Sequence, residues 1–300
     1  MKYALRISYI GRNYCGWQRQ KAEGQRTDLP PSIQETVEAA LSKMANHPVT
    51  VVGSGRTDAG VNALGQVVHF RLPTERFTTD VLRRGLNSLL PRDIRIMEAM
   101  KVPEEFHAQR SATQKQYSYY FLQGPSDLPQ WRDVSWWIHR RLDEKAMQEA
   151  VSFLVGEHDF RVFQASGGNP GKSTVRTLIE AEVVRLPMPA FPGQDLDEAG
   201  YSMIRVRLVG TGFLKQMVRG IAGTLLQIGE KHRKPLDMAD LLRTGDRHAV
   251  GPTAPAKGLT LERVWYKPDP YANSNQVGNH FPHSEEVPGH HSRRSGPEDR

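Results

Sequence analysis

A single cysteine, Cys15, is all the thiol that this chain of 300 residues holds. One thiol excludes an intrachain disulfide and points to a reducing compartment. Nothing beside Cys15 in the sequence activates it as a nucleophile, so packing is its expected role. No stretch approaches the roughly 20 apolar residues that span a bilayer. The opening residues, MKYALRISYIG, alternate polar and apolar and lack the continuous apolar core of a signal peptide. The expectation is a soluble, cytoplasmic protein. No redox or metal motif is visible, and neither phosphate-loop pattern is met. After Gly53 and Gly55 a dinucleotide site needs glycine at 58, where Asp58 stands, and a Gly-Lys-Ser/Thr ending is missing. A nucleotide-dependent enzyme is therefore disfavoured.

The chain is basic, with a net charge of +7. Its last thirty residues hold three arginines and four acids, so the body carries the whole positive excess. A basic body suits a polyanionic partner such as nucleic acid, although a generic basic surface has the same composition. Three hundred residues are enough for one large or two medium domains.

Periodicity divides the chain into strands and helices. Tyr3, Leu5, Ile7 and Tyr9 alternate with polar or small residues, as in a half-buried strand. Ser32 and Glu35 form a capping-box pattern, followed by Ile33, Val37, Ala40, Leu41 and Met44 at helical spacing. Strands are expected over 49–52, 66–70 and 94–100. Between the last two, Asp80 should cap a helix with Val81, Leu82, Leu86, Leu89 and Leu90 inward. Further on, strands are expected over 117–122, 177–186, 201–209 and 262–266. Ala146 to Leu154, 215–229 and 236–242 read as helices. Strand, helix, strand repeated is a split β-α-β order. The reading is an α+β protein of two similar halves, 1–104 and 105–268, sharing a sheet. Residues 269–300 are rich in Ser, Asn, Gly, Pro and His, including His280, His283, His290 and His291, and read as a disordered polar tail.

The chemistry centres on Asp58, in Gly53-Ser54-Gly55-Arg56-Thr57-Asp58-Ala59-Gly60. Three glycines in eight positions open backbone conformations closed to other residues and allow close approach of a ligand. A nearby arginine favours the ionised carboxylate, and a rigidly held carboxylate can serve as a nucleophile. An ordinary Asp-Ala-Gly turn or a structural Arg56–Asp58 contact would produce the same local pattern.

Four longer strings, in this order, resemble the motifs of the tRNA pseudouridine synthase A (TruA) family: YCGWQRQ (14–20), GSGRTDAGVNALGQVVHF (53–70), FHAQRSATQKQYSYYF (106–121) and GFLKQMVRGIAGTLLQIG (212–229). The resemblance runs from about Tyr3 to Tyr266. It implies the pseudouridine synthase fold, with a largely antiparallel sheet around a basic cleft, as a homodimer. It implies isomerisation of uridine at positions 38–40 of the tRNA anticodon stem-loop, with no cofactor and no metal. Asp58 is then the catalytic aspartate, Arg219 the cation that reaches back to it, and Tyr117 the active-site tyrosine. Arg56 is the arginine that flips the target nucleotide. Read without the family, Arg219 is more simply a surface arginine and Tyr117 a strand core residue. Candidates for phosphate contacts are Arg19, Arg76, His107, Arg110, Lys172 and Arg176. Arg205 and Arg207 share one strand face, as a basic wall or a plain solvated face would.

The chain departs from the family's pattern at three places. Asn62 replaces a histidine, Gln109 an arginine, and Lys215-Gln216 a His-His pair. The same chemistry on another RNA, and a non-catalytic tRNA-binding folding helper, are the alternative readings.

Overall fold

The alternation at the N-terminus becomes the first strand, β1 (Lys2–Tyr9), with Tyr3, Leu5, Ile7 and Tyr9 buried. The structure, a computed structural model, describes residues 1–20, 30–167, 171, 173–188 and 195–271. Helix α1 (Ile33–Ala45) starts from the complete capping box of Ser32 and Glu35 and buries Ile33, Val37, Ala40 and Leu41. The strand expected over 49–52 shrinks to β2 (Val52–Gly53). Side chains of α1 take the donors that a longer ladder would need. Val49 N–H goes to Ser42 Oγ at 2.9 Å and Val51 N–H to Glu38 Oε1 at 3.0 Å. Strand β3 (Asn62–Arg71) follows.

Helix α2 (Thr79–Leu89) is capped by Thr78, whose side chain accepts from Val81 N–H at 3.3 Å, and not by Asp80. Asp80 lies inside the first turn and pairs with Arg83 and Arg84. The apolar face is narrower than expected: Leu82, Leu86 and Leu90 are buried, whereas Val81 is 40% exposed and Leu89 37%. Strands β4 (Ile94–Lys101) and β5 (Ala112–Gln123) come next. A short β6 (Trp136–Ile138), helix α3 (Glu144–Ser152) and a short β7 (Gly156–Asp159) lead to β8 (Val175–Leu186) and β9 (Ser202–Gly210). The chain finishes through α4 (Met217–Gly229), α5 (Asp237–Thr244) and β10 (Leu259–Tyr266).

The ten strands of the described residues form one sheet, in the order β4-β1-β3-β10-β5-β9-β8-β7, with β2 on β3 and β6 on β5. Two pairings are parallel, β3 with β10 and β5 with β6, and the rest are antiparallel. The last strand thus lies in the middle, with Leu261 opposite both Ala63 of β3 and Tyr117 of β5. The α+β reading with a largely antiparallel sheet is the architecture observed. Helices α1 and α2 pack together, with α2 on β4, while α3 packs on β8 and α4, and α4 on β5. One apolar core runs through both groups, from Tyr3 to Tyr271. A satellite of Leu122, Met188, Leu196 and Met203 sits at the far end of β5.

Helix α4 is apolar nearly all round, because the segment 251–254 covers it as well as the sheet. A Cβ on Gly223 would lie 1.6 Å from the Pro252 carbonyl oxygen, so only glycine admits that approach. Among the described residues no helix is long and apolar enough to cross a membrane. The polar tail read from sequence lies, from residue 272 onward, outside the described residues, as does part of the proline-rich loop 187–193.

Candidate active site

The Asp58 loop runs from β2 to β3 and is fastened at nearly every residue. Ser54 N–H donates to Val67 O at 2.8 Å, and Ser54 Oγ to Gln66 Oε1 at 2.6 Å. Gln66 Nε2 donates to Gly55 O at 2.9 Å, and Lys115 Nζ to Ser54 O at 2.7 Å. Thr57 Oγ1 meets the Tyr9 hydroxyl at 2.8 Å, and Trp17 N–H donates to Thr57 O at 3.0 Å. After Asp58 the chain turns through Gly60, whose φ of +77° lies in the left-handed region, and Val61 N–H returns to Asp58 O at 3.1 Å. The motif around Trp17 therefore serves as a wall for the motif around Asp58.

Among the described residues the loop leaves the Asp58 carboxylate to one cation. Arg219, in the first turn of α4, donates from Nη1 to Asp58 Oδ2 at 3.5 Å and from Nε to Ala254 O at 2.7 Å. The Ala254 N–H donates back to Arg219 O at 3.1 Å, so the segment that Gly223 admits also fixes this arginine. The Asp58 side chain is 32% exposed and that of Arg219 15%, so the carboxylate faces outward and the guanidinium inward. The surface-arginine reading of Arg219 does not hold. Arg56 is exposed and makes no hydrogen bond or ion pair among the described residues, so the local Arg56–Asp58 contact does not form.

Tyr117 is buried on β5 with its ring edge-on to Phe213, centroids 5.0 Å apart at 73°. Its hydroxyl makes no hydrogen bond among the described residues. Burial, then the neighbouring Tyr9 and the Asp58 charge, push its phenol well above the usual tyrosine range. Asp58, Arg219 and Tyr117, from a loop, a helix and a strand, thus meet in one place. Phe213 and Lys115 were not singled out from sequence. Lys115 had a readable signal, since it precedes Tyr117 by two residues and shares its strand face.

The other sequence candidates lie elsewhere. His107 tilts against His69, centroids 4.8 Å apart, and its Nδ1 accepts from the backbone N–H groups of Gln109 and Arg110 at 3.2 Å. Burial, then the charges of Lys2 and others, push His69 down to about 4. That cluster is on the order of 20 Å along β3 from Asn62, beside which Asp58 is held. Arg110 is exposed there. Arg176 folds back onto the carbonyls of Ser173 and Val175 at 2.8 and 2.6 Å. Lys172 lies outside the described residues. Arg19 pairs with Glu38 and Glu35, and Arg76 covers the Phe77 ring. Arg205 and Arg207 are matched by Glu182 at 3.3 Å and Glu180 at 2.5 Å, so that strand face is charge-paired and not a basic wall. Among the described residues no three His, Cys, Asp or Glu side chains converge to hold a metal ion.

A family model described as tRNA pseudouridine synthase matches residues 6–109 and 150–267. The chain is 41% identical over 264 residues to tRNA pseudouridine synthase A of Verminephrobacter eiseniae, covering 86% of this chain and 91% of that one. It is 40% identical over 272 residues to tRNA pseudouridine synthase A of Chlamydia trachomatis serovar A, covering 90% and 93%. With tRNA pseudouridine synthase A 2 of Clostridium tetani it shares 37% over 266 residues, covering 87% and 97%. The chain belongs to the tRNA pseudouridine synthase family. As a tRNA pseudouridine synthase it is an isomerase acting on tRNA. The match to the family model leaves out 110–149, which includes β5 with Lys115 and Tyr117.

The departure at Asn62 has a structural account in this synthase. The side chain is 2% exposed. Its Oδ1 accepts from Gly11 N–H at 2.8 Å, and its Nδ2 donates to Asp133 O at 3.0 Å and Lys257 O at 2.9 Å. A histidine, with two ring nitrogens, could not serve all three groups. Gln216 opens α4 in the left-handed region at φ +59°, and Lys215 Nζ donates to Ser166 O at 3.2 Å.

Proposed function

We propose that this synthase converts uridine to pseudouridine at positions 38, 39 and 40 of the tRNA anticodon stem-loop, with Asp58 as the reacting carboxylate and without a cofactor. The observation that carries the proposal is the Asp58–Arg219 pair beside the unpartnered hydroxyl of Tyr117. The reaction breaks the bond between ribose C1′ and uracil N1, rotates the base and joins C1′ to C5. One proton leaves C5 and one arrives at N1, so atoms and electrons balance with no outside reagent. Attack on the base, attack on the ribose, and proton removal from the ribose are each within a carboxylate's chemistry.

The target uridine is stacked in a stem and has to be flipped out. Arg56 stands exposed two residues from Asp58, with its guanidinium free to take the vacated space or hold the displaced backbone. Tyr117 offers a ring to stack on uracil and a phenol that assists removal of the C5 proton. His107, Arg110, Arg176 and Lys172 contact phosphates of the same RNA, and a second copy of the chain, as a homodimer, holds the rest of the tRNA.

The test is tritium release from tRNA labelled at uridine C5, with wild type and Asp58→Asn side by side and RNA binding measured for both. Release by wild type alone, from the anticodon stem-loop, supports the proposal. Release from a different region of the tRNA removes the site assignment, and release by Asp58→Asn removes the carboxylate's role.

A further inference from the structure

Two consecutive carbonyls of the Asp58 loop are held by side chains of very different kind. Gln66, a buried neutral amide on β3, holds Gly55 O at 2.9 Å. Lys115, on β5, holds Ser54 O at 2.7 Å. The loop is laid directly on the ammonium, since a Cβ at Gly55 would lie 2.9 Å from Lys115 Nζ. Across β9 the residue opposite Lys115 is Gly210, which adds no side chain. Lys115 forms no ion pair among the described residues, so its charge is directed at a main-chain oxygen. Two residues on, from the same face of the same strand, Tyr117 enters the site.

We propose that Lys115 is a positioning residue for the isomerisation: by gripping Ser54 O from β5, it ties the Asp58 loop to the strand that carries Tyr117 and so sets the spacing of the two groups. The inference rests on the role proposed for Asp58. A neutral side chain of similar length would fill the space but hold the carbonyl weakly or not at all. A charge-assisted hydrogen bond is roughly twice as strong as a neutral one.

The titratable groups on the elements packed against this lysine are Asp58 and Arg56 on the loop, Tyr117 on β5, and Tyr266 on β10, whose hydroxyl donates to Ala108 O at 2.8 Å, with Tyr9 of β1 behind Thr57. Asp58 is the one carboxylate of the set, and it is turned to Arg219. Desolvation therefore pushes Lys115 from its ordinary 10.5 down to about 8. Its charge costs stability in full below pH 8, and that cost is relieved as pH rises toward 10.5. Activity moves the other way, because the grip weakens as the proton leaves.

The experiment measures single-turnover tritium release across pH for wild type, Lys115→Met, Lys115→Arg and Asp58→Asn, with tRNA affinity and melting temperature for each. Wild type should lose rate on the alkaline side with a midpoint near 8. Lys115→Met should be slower by roughly tenfold or more at pH 7 through mispositioning. Its tRNA affinity should stay within about threefold, its alkaline limb should vanish, and its melting temperature should equal or exceed that of wild type. Lys115→Arg should recover most of the rate and move the limb upward, because a guanidinium stays charged. Wild-type rate and pH profile in Lys115→Met would overturn the inference. So would lost tRNA affinity with unchanged rate once bound, or a fall in melting temperature that accounts for the lost activity. An active Asp58→Asn would instead sink the aspartate's role, which keeps the two failures apart.

Discussion

Replacing Arg219 with glutamine tests the pairing at the centre of the site. Two unit charges 3.5 Å apart attract by about 5 kcal/mol at an effective dielectric near 20. Asp58 is 32% exposed, and solvent screening brings the useful part down to about 1–2 kcal/mol. The geometric loss is larger. Glutamine is shorter and can serve Ala254 O or Asp58, not both, so the carboxylate loses the group that aims it. A misplacement of about 1 Å costs on the order of 10²-fold in rate, or about 2.7 kcal/mol. The expected result is a single-turnover rate about 10²-fold lower in the tritium assay. Because the guanidinium points inward, tRNA affinity measured by filter binding should change less than about threefold. Leaving Ala254 O unpaired costs about 1 kcal/mol, a drop in melting temperature of roughly 2–4 °C. Arg219→Lys keeps the charge without the fork and should fall between the two. A glutamine variant within threefold of the wild-type rate would refute the reasoning. Lost tRNA affinity with an unchanged rate once bound would make Arg219 an RNA contact instead.

Tyr117→Phe keeps the ring against Phe213 and removes only the hydroxyl; the rate should fall by roughly 10²-fold with tRNA affinity unchanged, and a full rate would leave Tyr117 a stacking platform alone. Asn62→Leu removes three buried hydrogen bonds, at about 1 kcal/mol each, so thermal unfolding should shift down by roughly 6–12 °C, and a shift below about 2 °C would show that the amide is not the tether it looks to be.

Local patterns were legible where local physics decides. The alternation in β1 and the Ser32–Glu35 box each specify an element with no outside help, and both are present. The cap of α2 is ambiguous in sequence because Thr78 and Asp80 are both competent cap residues. The structure uses Thr78, which leaves Asp80 in the first turn, where it pairs with Arg83 and Arg84. The strand at 49–52 failed because its donors are claimed by α1, a contact invisible to any window along the chain. Arg205 and Arg207 looked like a basic wall because the glutamates that neutralise them sit on a neighbouring strand, 23 and 27 residues away. At the site, Asp58 stood out through its glycine-rich setting, whereas Arg219 joins it across 161 positions and could be assigned only by resemblance. Lys115 was overlooked for the opposite reason, since a lysine in a strand is so often a solvated one.

The placement of β10 has a consequence for how this enzyme comes into being on the ribosome. Synthesis delivers β1, β3 and β4 first, and domains begin folding from the N-terminal end as they emerge. One edge of β3 then waits, unpaired, for a partner made almost two hundred residues later, because Thr260 and Leu261 are its neighbours in the finished sheet. Until that partner arrives, the nascent chain presents an open edge of the kind that invites pairing with other chains. The cation for Asp58 is fixed by Ala254, just upstream of the same strand. The fixing of Arg219 beside Asp58 and the closure of the aggregation-prone edge therefore both wait for the segment 254–261, and a chain stalled before it would have neither.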